Sequence, residues 1–255
     1  MRLATEFSGG GDPARSLALL WRTGDGARGR SDLSVDRIVA VAVELADSAG
    51  LAALSMRRVA DRLGVGTMSL YTYVPGKAEL IDVMLDTVYG ETARPEDPAE
   101  HWRGRLTGIA RENFALYRRH PWMLQVATGR AVLGPGAIAK YDFELRAFDG
   151  LGLPDVETDA LLTLVLGHAE AAARRSVEMA ETERRSGMSD EQWWQANAAL
   201  LGGLLDPDRY PVAARVGSAA GQRHGAAYGP EHHFEFGLAR ILDGIEALIS
   251  SARRS

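Results

Sequence analysis

The chain has 255 residues, 46 % of them hydrophobic and 25 % charged, with 29 basic against 34 acidic side chains for a net charge of −5. At roughly 100 to 200 residues per domain this allows one large domain or a small one joined to a larger one, and so ordinary a globular mix excludes a wholly disordered chain. Cysteine is absent, which excludes a disulfide-dependent scaffold, thiolate metal sites and cysteine nucleophiles. The N-terminal stretch carries Glu6 and Asp12 and no apolar block, and no run reaches about 18 apolar residues. A soluble cytoplasmic protein without leader or membrane partner is expected. The acidic balance argues at first against a nucleic-acid partner.

Apolar residues recur at helical spacing along almost the whole chain and period-two alternation is scarce, so an all-α fold is expected. Residues 8–32 are the exception. Gly9, Gly10, Gly11, Gly24, Gly26 and Gly29 with scattered arginines read as part of a flexible N-terminal arm over residues 1–33, in which only Arg15–Trp21 forms a short helix. The arm contains a literal G-x-G-x-x-G at residues 24–29, but no strand precedes it and no βαβ unit surrounds it, so dinucleotide binding is rejected.

From Ser34 the pattern tightens. Ser34 caps a helix whose Ile38, Val41, Ala42, Leu45, Ala46 and Ala49 share one face, and Gly50 ends it. Ser55 caps a second, with Met56, Val59, Ala60 and Leu63 as its stripe and Gly64 as a tight turn. A third spans Gly66–Val74, with Leu70 and Tyr71 inward and Thr67, Ser69, Thr72 and Tyr73 elsewhere on its surface. Pro75 opens a fourth, which carries Leu80, Met84 and Val88 and runs out near Gly90. The Pro-rich, acidic stretch at 94–98 places a boundary within residues 90–97, giving a head at 34–90 and a body at 91–255.

In the body, Asp97 and Pro98 start a helix that aligns Trp102, Leu106, Ile109, Ala110, Phe114 and Tyr117 until His120 and Pro121 break it. Further helices are expected at about 121–128, 136–149, 155–185, 189–205 and 230–252. The last has a wide apolar face of Ile241, Leu242, Ile245, Leu248 and Ile249, which is either intramolecular core or a subunit interface.

Two short helices joined by a glycine turn and braced by a longer one describe a helix-turn-helix, whose second helix enters the major groove. Between Leu54 and Lys77 lie Arg57, Arg58, Arg62 and Lys77 against Asp61 alone, a local charge of +3. Residues 1–80 hold 10 basic and 9 acidic side chains, so the remainder carries −6. An acidic body repelled by phosphate favours docking through the head, and the objection from net charge lapses.

The run Leu54-Ser55-Met56-Arg57-Arg58-Val59-Ala60-Asp61-Arg62-Leu63-Gly64-Val65, followed by Leu70-Tyr71 and then Lys77 and Leu80, resembles the DNA-binding domain of the TetR family of transcriptional repressors over about residues 34–85. Gly167-His168 and Phe234-Glu235-Phe236-Gly237-Leu238 are similar, more weakly, to the ligand-binding and dimerisation region of the tetracycline-repressor branch. The resemblance implies a three-helix helix-turn-helix domain on a helical bundle. It implies a homodimeric repressor on a palindromic double-stranded DNA operator, released by a small-molecule effector. The alternative is a helical ligand-binding or protein-interaction module without DNA binding.

By the same resemblance Arg57 reads a base edge, bidentate to guanine, its alternative being a solvated helix arginine. Thr67, Ser69 and Tyr73 are placed to bond base edges or phosphates. Tyr71 matches the family's tyrosine whose hydroxyl reaches the DNA backbone while its ring packs inward, with plain burial as the alternative. Lys77 faces a phosphate. Arg28 and Arg30 in the arm are candidates for the minor groove, or belong to a solubilising tail. Many relatives have serine where this chain has Gly66, so the third helix is expected to lack a side-chain cap.

For the effector, Trp102, Phe114, Trp122, Trp193 and Trp194 are the large rings able to line an apolar cavity, core packing being the alternative for each. His168 matches a position that contacts a ligand-bound metal in tetracycline-type repressors; its alternative is a hydrogen-bonded core histidine. The neighbouring His232 and His233 point about 100° apart on a helix and read as a solvated helix start. No metal site or cofactor is expected. No metalloprotease motif, nucleophile elbow or phosphate loop is present, so no enzyme is expected.

Overall fold

In the computed structural model residues 6–22, 33–94 and 101–252 are described, and they form eleven α-helices and two strands of two residues each. The all-α expectation holds. The chain divides into two compact units, Met1–Thr163 and Leu164–Ser255.

In the first unit β1 (Glu6–Phe7) pairs in parallel with β2 (Val126–Ala127), Glu6 opposite Val126. The Ser8 hydroxyl donates to the Arg130 carbonyl at 2.6 Å and the Gly9 N–H to the Asp82 carboxylate at 2.9 Å. α1 (Pro13–Leu20) follows, capped by Asp12 with Pro13 in its first turn, and it buries Leu20. The expected mobile arm is therefore corrected over residues 6–22, which are docked. Gly11 sits where a Cβ would collide with the Glu79 carboxylate, so this glycine permits close approach instead of marking mobility. Residues 23–32, including Arg28 and Arg30, lie outside the described residues.

α2 (Val35–Ala49) is capped by Ser34, which accepts from Arg37 N–H, and ends at Gly50, as its caps predict. A 3₁₀ turn at Leu51–Ala53 leads to α3 (Met56–Leu63), α4 (Thr67–Tyr71) and α5 (Lys77–Gly90). Ile38, Leu45, Leu54, Val59, Leu70, Leu80 and Met84 meet in one core, so α3 and α4 are braced by α2 and α5 through burial of their apolar stripes.

α6 (Trp102–Arg119) starts after His101; the expected Asp97 and Pro98 start lies outside the described residues. The expected helix at 121–128 is instead a 3₁₀ turn, Pro121–Gln125, followed by β2, because Val126 and Ala127 turn their backbone to β1. α7 (Pro135–Leu145) is shorter than expected and runs on into a 3₁₀ turn at Arg146–Phe148. It packs on α5 backbone to backbone: a Cβ at Gly136 would meet the Asp86 carbonyl oxygen, and one at Gly134 the Asp86 carboxylate, which accepts from Ala137 N–H at 2.8 Å. Inside this unit Lys140 donates to Glu144 at 2.7 Å, and so does the Asn113 amide, all three buried. His120 reaches Asp47 through Nδ1 at 2.9 Å and Glu91 through Nε2 at 3.1 Å, tying α2 to the end of α5.

α8 (Asp155–Ser186) begins in the first unit and supplies most of its length to the second, which continues with α9 (Asp190–Leu204), α10 (Pro211–His224) and α11 (Pro230–Ala252). Ser189 and Gln192 close a capping box on α9. α10 was not anticipated in the sequence. Gly217 and Gly221 dilute its helical stripe, yet Gly221 is where a Cβ would collide with the Trp194 ring, so the small residue lets α10 settle on α9. On α11 Leu242, Ile245 and Ile249 are buried with Phe234 and Leu238, while Ile241 and Leu248 stay half-buried. Three of the five residues of this face are thus intramolecular core. Among the described residues no helix is long and apolar enough to cross a membrane.

Candidate nucleic-acid interface

The Ser55 side chain accepts from Arg58 N–H at 3.2 Å and fixes the start of α3. Gly64 ends it in the left-handed region, φ 69° and ψ 29°. Its N–H donates to Asp61 O and Val65 N–H to Ala60 O, the paired bonds of a Schellman turn. This turn sets the angle at which α4 leaves α3. Gly66 starts α4 with no side-chain cap, as the missing serine predicts. With only five residues, α4 cannot stand on propensity; it is held by fully buried Leu70 and Val74.

What α4 turns outward follows from that anchor. Met68 is 78 % exposed and Tyr71 44 %, with Ser69 and Thr72 exposed beside them and Thr67 half-buried. The two tyrosines exchange the places expected of them. At about 100° per residue Tyr71 cannot share the inward direction of Leu70, and the turn that brings Tyr73 and Val74 N–H onto Leu70 O carries Tyr73 back against the core. Met68 was missed by sequence reasoning. Its signal was its spacing: two residues from the anchor Leu70, it lies on the opposite side of the helix.

The basic side chains differ in what holds them. Arg58 donates to Ala53 O at 3.1 Å and Arg62 to Glu44 at 3.4 Å. Arg57 is exposed, and among the described residues its guanidinium has no partner. Lys77, the first residue of α5, pairs with Glu6 at 2.7 Å, a contact no local pattern announces.

The effector candidates fall into two groups. Trp102, Phe114 and Trp122 are buried side chains of the first unit, with Arg118 over the Phe114 ring at 5.4 Å and, among the described residues, no partner for the Trp122 indole N–H. His168, Trp193 and Trp194 belong to the second. His168 Nε2–H donates to Phe234 O at 2.8 Å and its ring stacks on that of Phe234 at 5.6 Å. Gly237 makes room for it, since a Cβ there would collide with the imidazole. Trp193 is exposed, and Trp194 rests on Gly221.

Comparison with known proteins agrees with this geometry. Residues 38–84 match the family described as bacterial regulatory proteins, tetR family, and residues 94–249 match the tetracyclin repressor-like C-terminal domain. The chain is 46 % identical over 254 residues to the HTH-type transcriptional repressor DrrR1 of Streptomyces coeruleorubidus, spanning 98 % of this chain and 92 % of that one. Apo ActR from Streptomyces coelicolor superposes with a TM-score of 0.71 at 25 % identity, covering 88 % of this chain and 100 % of its own. ActR in complex with actinorhodin gives 0.70 at 26 %, covering 85 % and 97 %. With the glycine-turned helix pair braced by α2 and both family segments matched along its length, the chain belongs to the TetR family of bacterial transcriptional regulators.

Proposed function

We propose that the chain is a DNA-binding transcriptional repressor that acts in the cytoplasm as a homodimer on a palindromic operator and leaves it when a small molecule binds. Residues 34–90 form the DNA-binding head and 91–255 the regulatory body. The observation that carries the reading is the outward face of α3 and α4. Arg57 is exposed without a partner among the described residues, and Met68, Ser69 and Tyr71 stand out from a helix whose anchor Leu70 is fully buried. In the major groove Arg57 meets a guanine edge, and Thr67, Ser69 and Met68 meet bases or thymine methyls. Tyr71 and Lys77 hold the backbone, while Tyr73 braces α4 from the core side. Arg28 and Arg30, just ahead of α2, take the minor groove.

The dimer is supported by apolar side chains that α9 and α10 leave uncovered. α9 buries no residue; Leu204 is 82 % exposed, and Trp193, Leu200, Val212 and Val216 are exposed with it. A soluble chain that leaves such a patch bare has a partner for it, and a second copy places two heads about 34 Å apart for successive half-sites. Release by a small molecule is supported by ActR, whose fold this chain shares and which is solved with actinorhodin bound.

A mobility-shift assay with DNA from upstream of the chain's own gene tests the reading. A folded sample is expected to shift that DNA at low salt, more weakly as salt rises. No shift from a folded dimer would instead establish a ligand-binding module without DNA binding.

A further inference from the structure

A cavity of about 210 Å³ lies in the first unit between α1, α5 and the segment 130–133. Leu17, Leu20, Val132 and Leu133 give it apolar walls. Two polar side chains line it as well. Ser16 is 9 % exposed, and among the described residues its buried hydroxyl has no hydrogen-bond partner. Asp82 is 3 % exposed and accepts one hydrogen bond, from Gly9 N–H.

Among the described residues the charges around Asp82 leave it without a counter-ion. Glu79, also buried, stands one turn earlier on α5 and adds a second negative charge. Lys77 is paired with Glu6, and Arg130, which also lines the cavity, donates to Gly9 O at 3.0 Å. Among the described residues no cation is bonded to Asp82. Burial, with Glu79 close by, raises the Asp82 carboxyl above the ordinary carboxylate range, although the Gly9 bond opposes this. A buried carboxylate of this kind is expensive until a cation reaches it. Ser16, which lines the same cavity, brings a hydroxyl with unused acceptor capacity for a second N–H.

We infer that this cavity binds a small organic ammonium, whose cationic head bonds the Asp82 carboxylate and the Ser16 hydroxyl while its apolar part rests on Leu17, Leu20 and Val132. Size sets the class. A cavity of roughly 150 Å³ accepts benzene, whereas drug-sized ligands occupy about 300 Å³ or more. One ring or one branched aliphatic group bearing a primary amine fits that volume. None of the side chains that bond the ligand takes part in the proposed DNA contacts, so the site stands independently of the operator reading.

Isothermal titration of the full chain with benzylamine tests it, with benzyl alcohol and toluene as neutral probes of matching shape. Benzylamine is expected to bind at a single site with a Kd of about 1 mM or tighter, at least about tenfold more tightly than benzyl alcohol. Asp82→Asn should erase that preference, and Ser16→Ala should weaken the amine severalfold while leaving toluene unchanged. Absence of benzylamine binding at about 10 mM, equal binding of amine and alcohol by the wild type, or full retention of the preference in a folded Asp82→Asn protein would each overturn the inference. Should Asp82→Asn not fold, the amine-to-alcohol ratio on the wild type and the Ser16→Ala effect decide between the same outcomes.

Discussion

The ammonium of Lys77 lies 2.7 Å from the carboxylate of Glu6, so the cation at the head of α5 already has an anionic partner before DNA arrives. A phosphate must displace that partner. A half-buried pair of this kind contributes about 0.2–1 kcal/mol. Glu6→Gln is therefore expected to tighten DNA binding up to about fivefold, evenly across sequences, as measured by fluorescence anisotropy. Lys77→Ala should weaken every sequence alike and flatten the salt slope by about one unit. Unchanged affinity in Glu6→Gln would mean that Lys77 does not meet phosphate.

Arg57 is expected to behave differently, because a base contact discriminates where a phosphate contact does not. Arg57→Ala should lose about 1–3 kcal/mol on the preferred operator and little on operators altered at the contacted base pair. A panel of operator variants in parallel titrations distinguishes this from an even loss across the panel, which would move Arg57 to the phosphate class.

The two tyrosines give a paired prediction. Tyr71 is exposed and Tyr73 packs on the core, so Tyr71→Ala should weaken DNA binding with the melting temperature kept. Tyr73→Ala should lower stability, by about 2 kcal/mol or more as buried aromatic contact is lost. Thermal melts beside anisotropy titrations separate the two.

Asp82 sets a pH dependence. Burial pushes its carboxyl up from 3.8, Glu79 adds to the push, and the Gly9 bond opposes it. The folded chain therefore holds this proton more tightly than the unfolded chain. Its contribution to stability is most favourable below the ordinary carboxylate value and is lost as pH rises through the raised one. Asp82→Asn keeps an acceptor for Gly9 without the charge. It should melt above the wild type near pH 7, and the gap should close on acidification toward about pH 4. A gap that stays constant with pH would assign the effect to packing.

The buried trio behind α7 predicts a larger effect. Glu144 accepts from both Lys140 and Asn113 at 2.7 Å, while burial lowers the Lys140 pKa and Glu144 raises it. Glu144→Leu leaves a buried ammonium unpaired and should cost about 3–5 kcal/mol in urea denaturation. Replacing Lys140 by Met in the same chain should recover much of that loss, since the stranded charge is removed.

Elements stabilised by their own neighbours were readable in the sequence. Ser34 and Gly50 bound α2, and Ser55 and Gly64 bound α3, through hydrogen bonds that span three to five residues. The docked N-terminal segment was not readable, because Ser8 and Glu6 find their partners at Arg130, Val126 and Lys77, some 70 to 120 residues away. Local composition there, with glycine at residues 9–11, suggests motion. α10 was hidden for the same reason: Gly221 lowers helix propensity and pays it back only in contact with Trp194. At the candidate site the glycine turn and Arg57 were legible. The exchange of Tyr71 and Tyr73 was not, because it depends on where α4 stops.

The backbone contact between α5 and α7 inverts the usual logic of a mutational scan. Alanine is ordinarily the gentlest probe of a side chain, yet at Gly134 and Gly136 one added methyl would collide with Asp86. These two loop-side positions should score with the hydrophobic interior in a library selection, while the exposed apolar residues of α9 tolerate exchange in any readout that does not require assembly. A pressure for small volume, invisible to any ranking by hydrophobicity, is then what holds the two helices at a fixed separation.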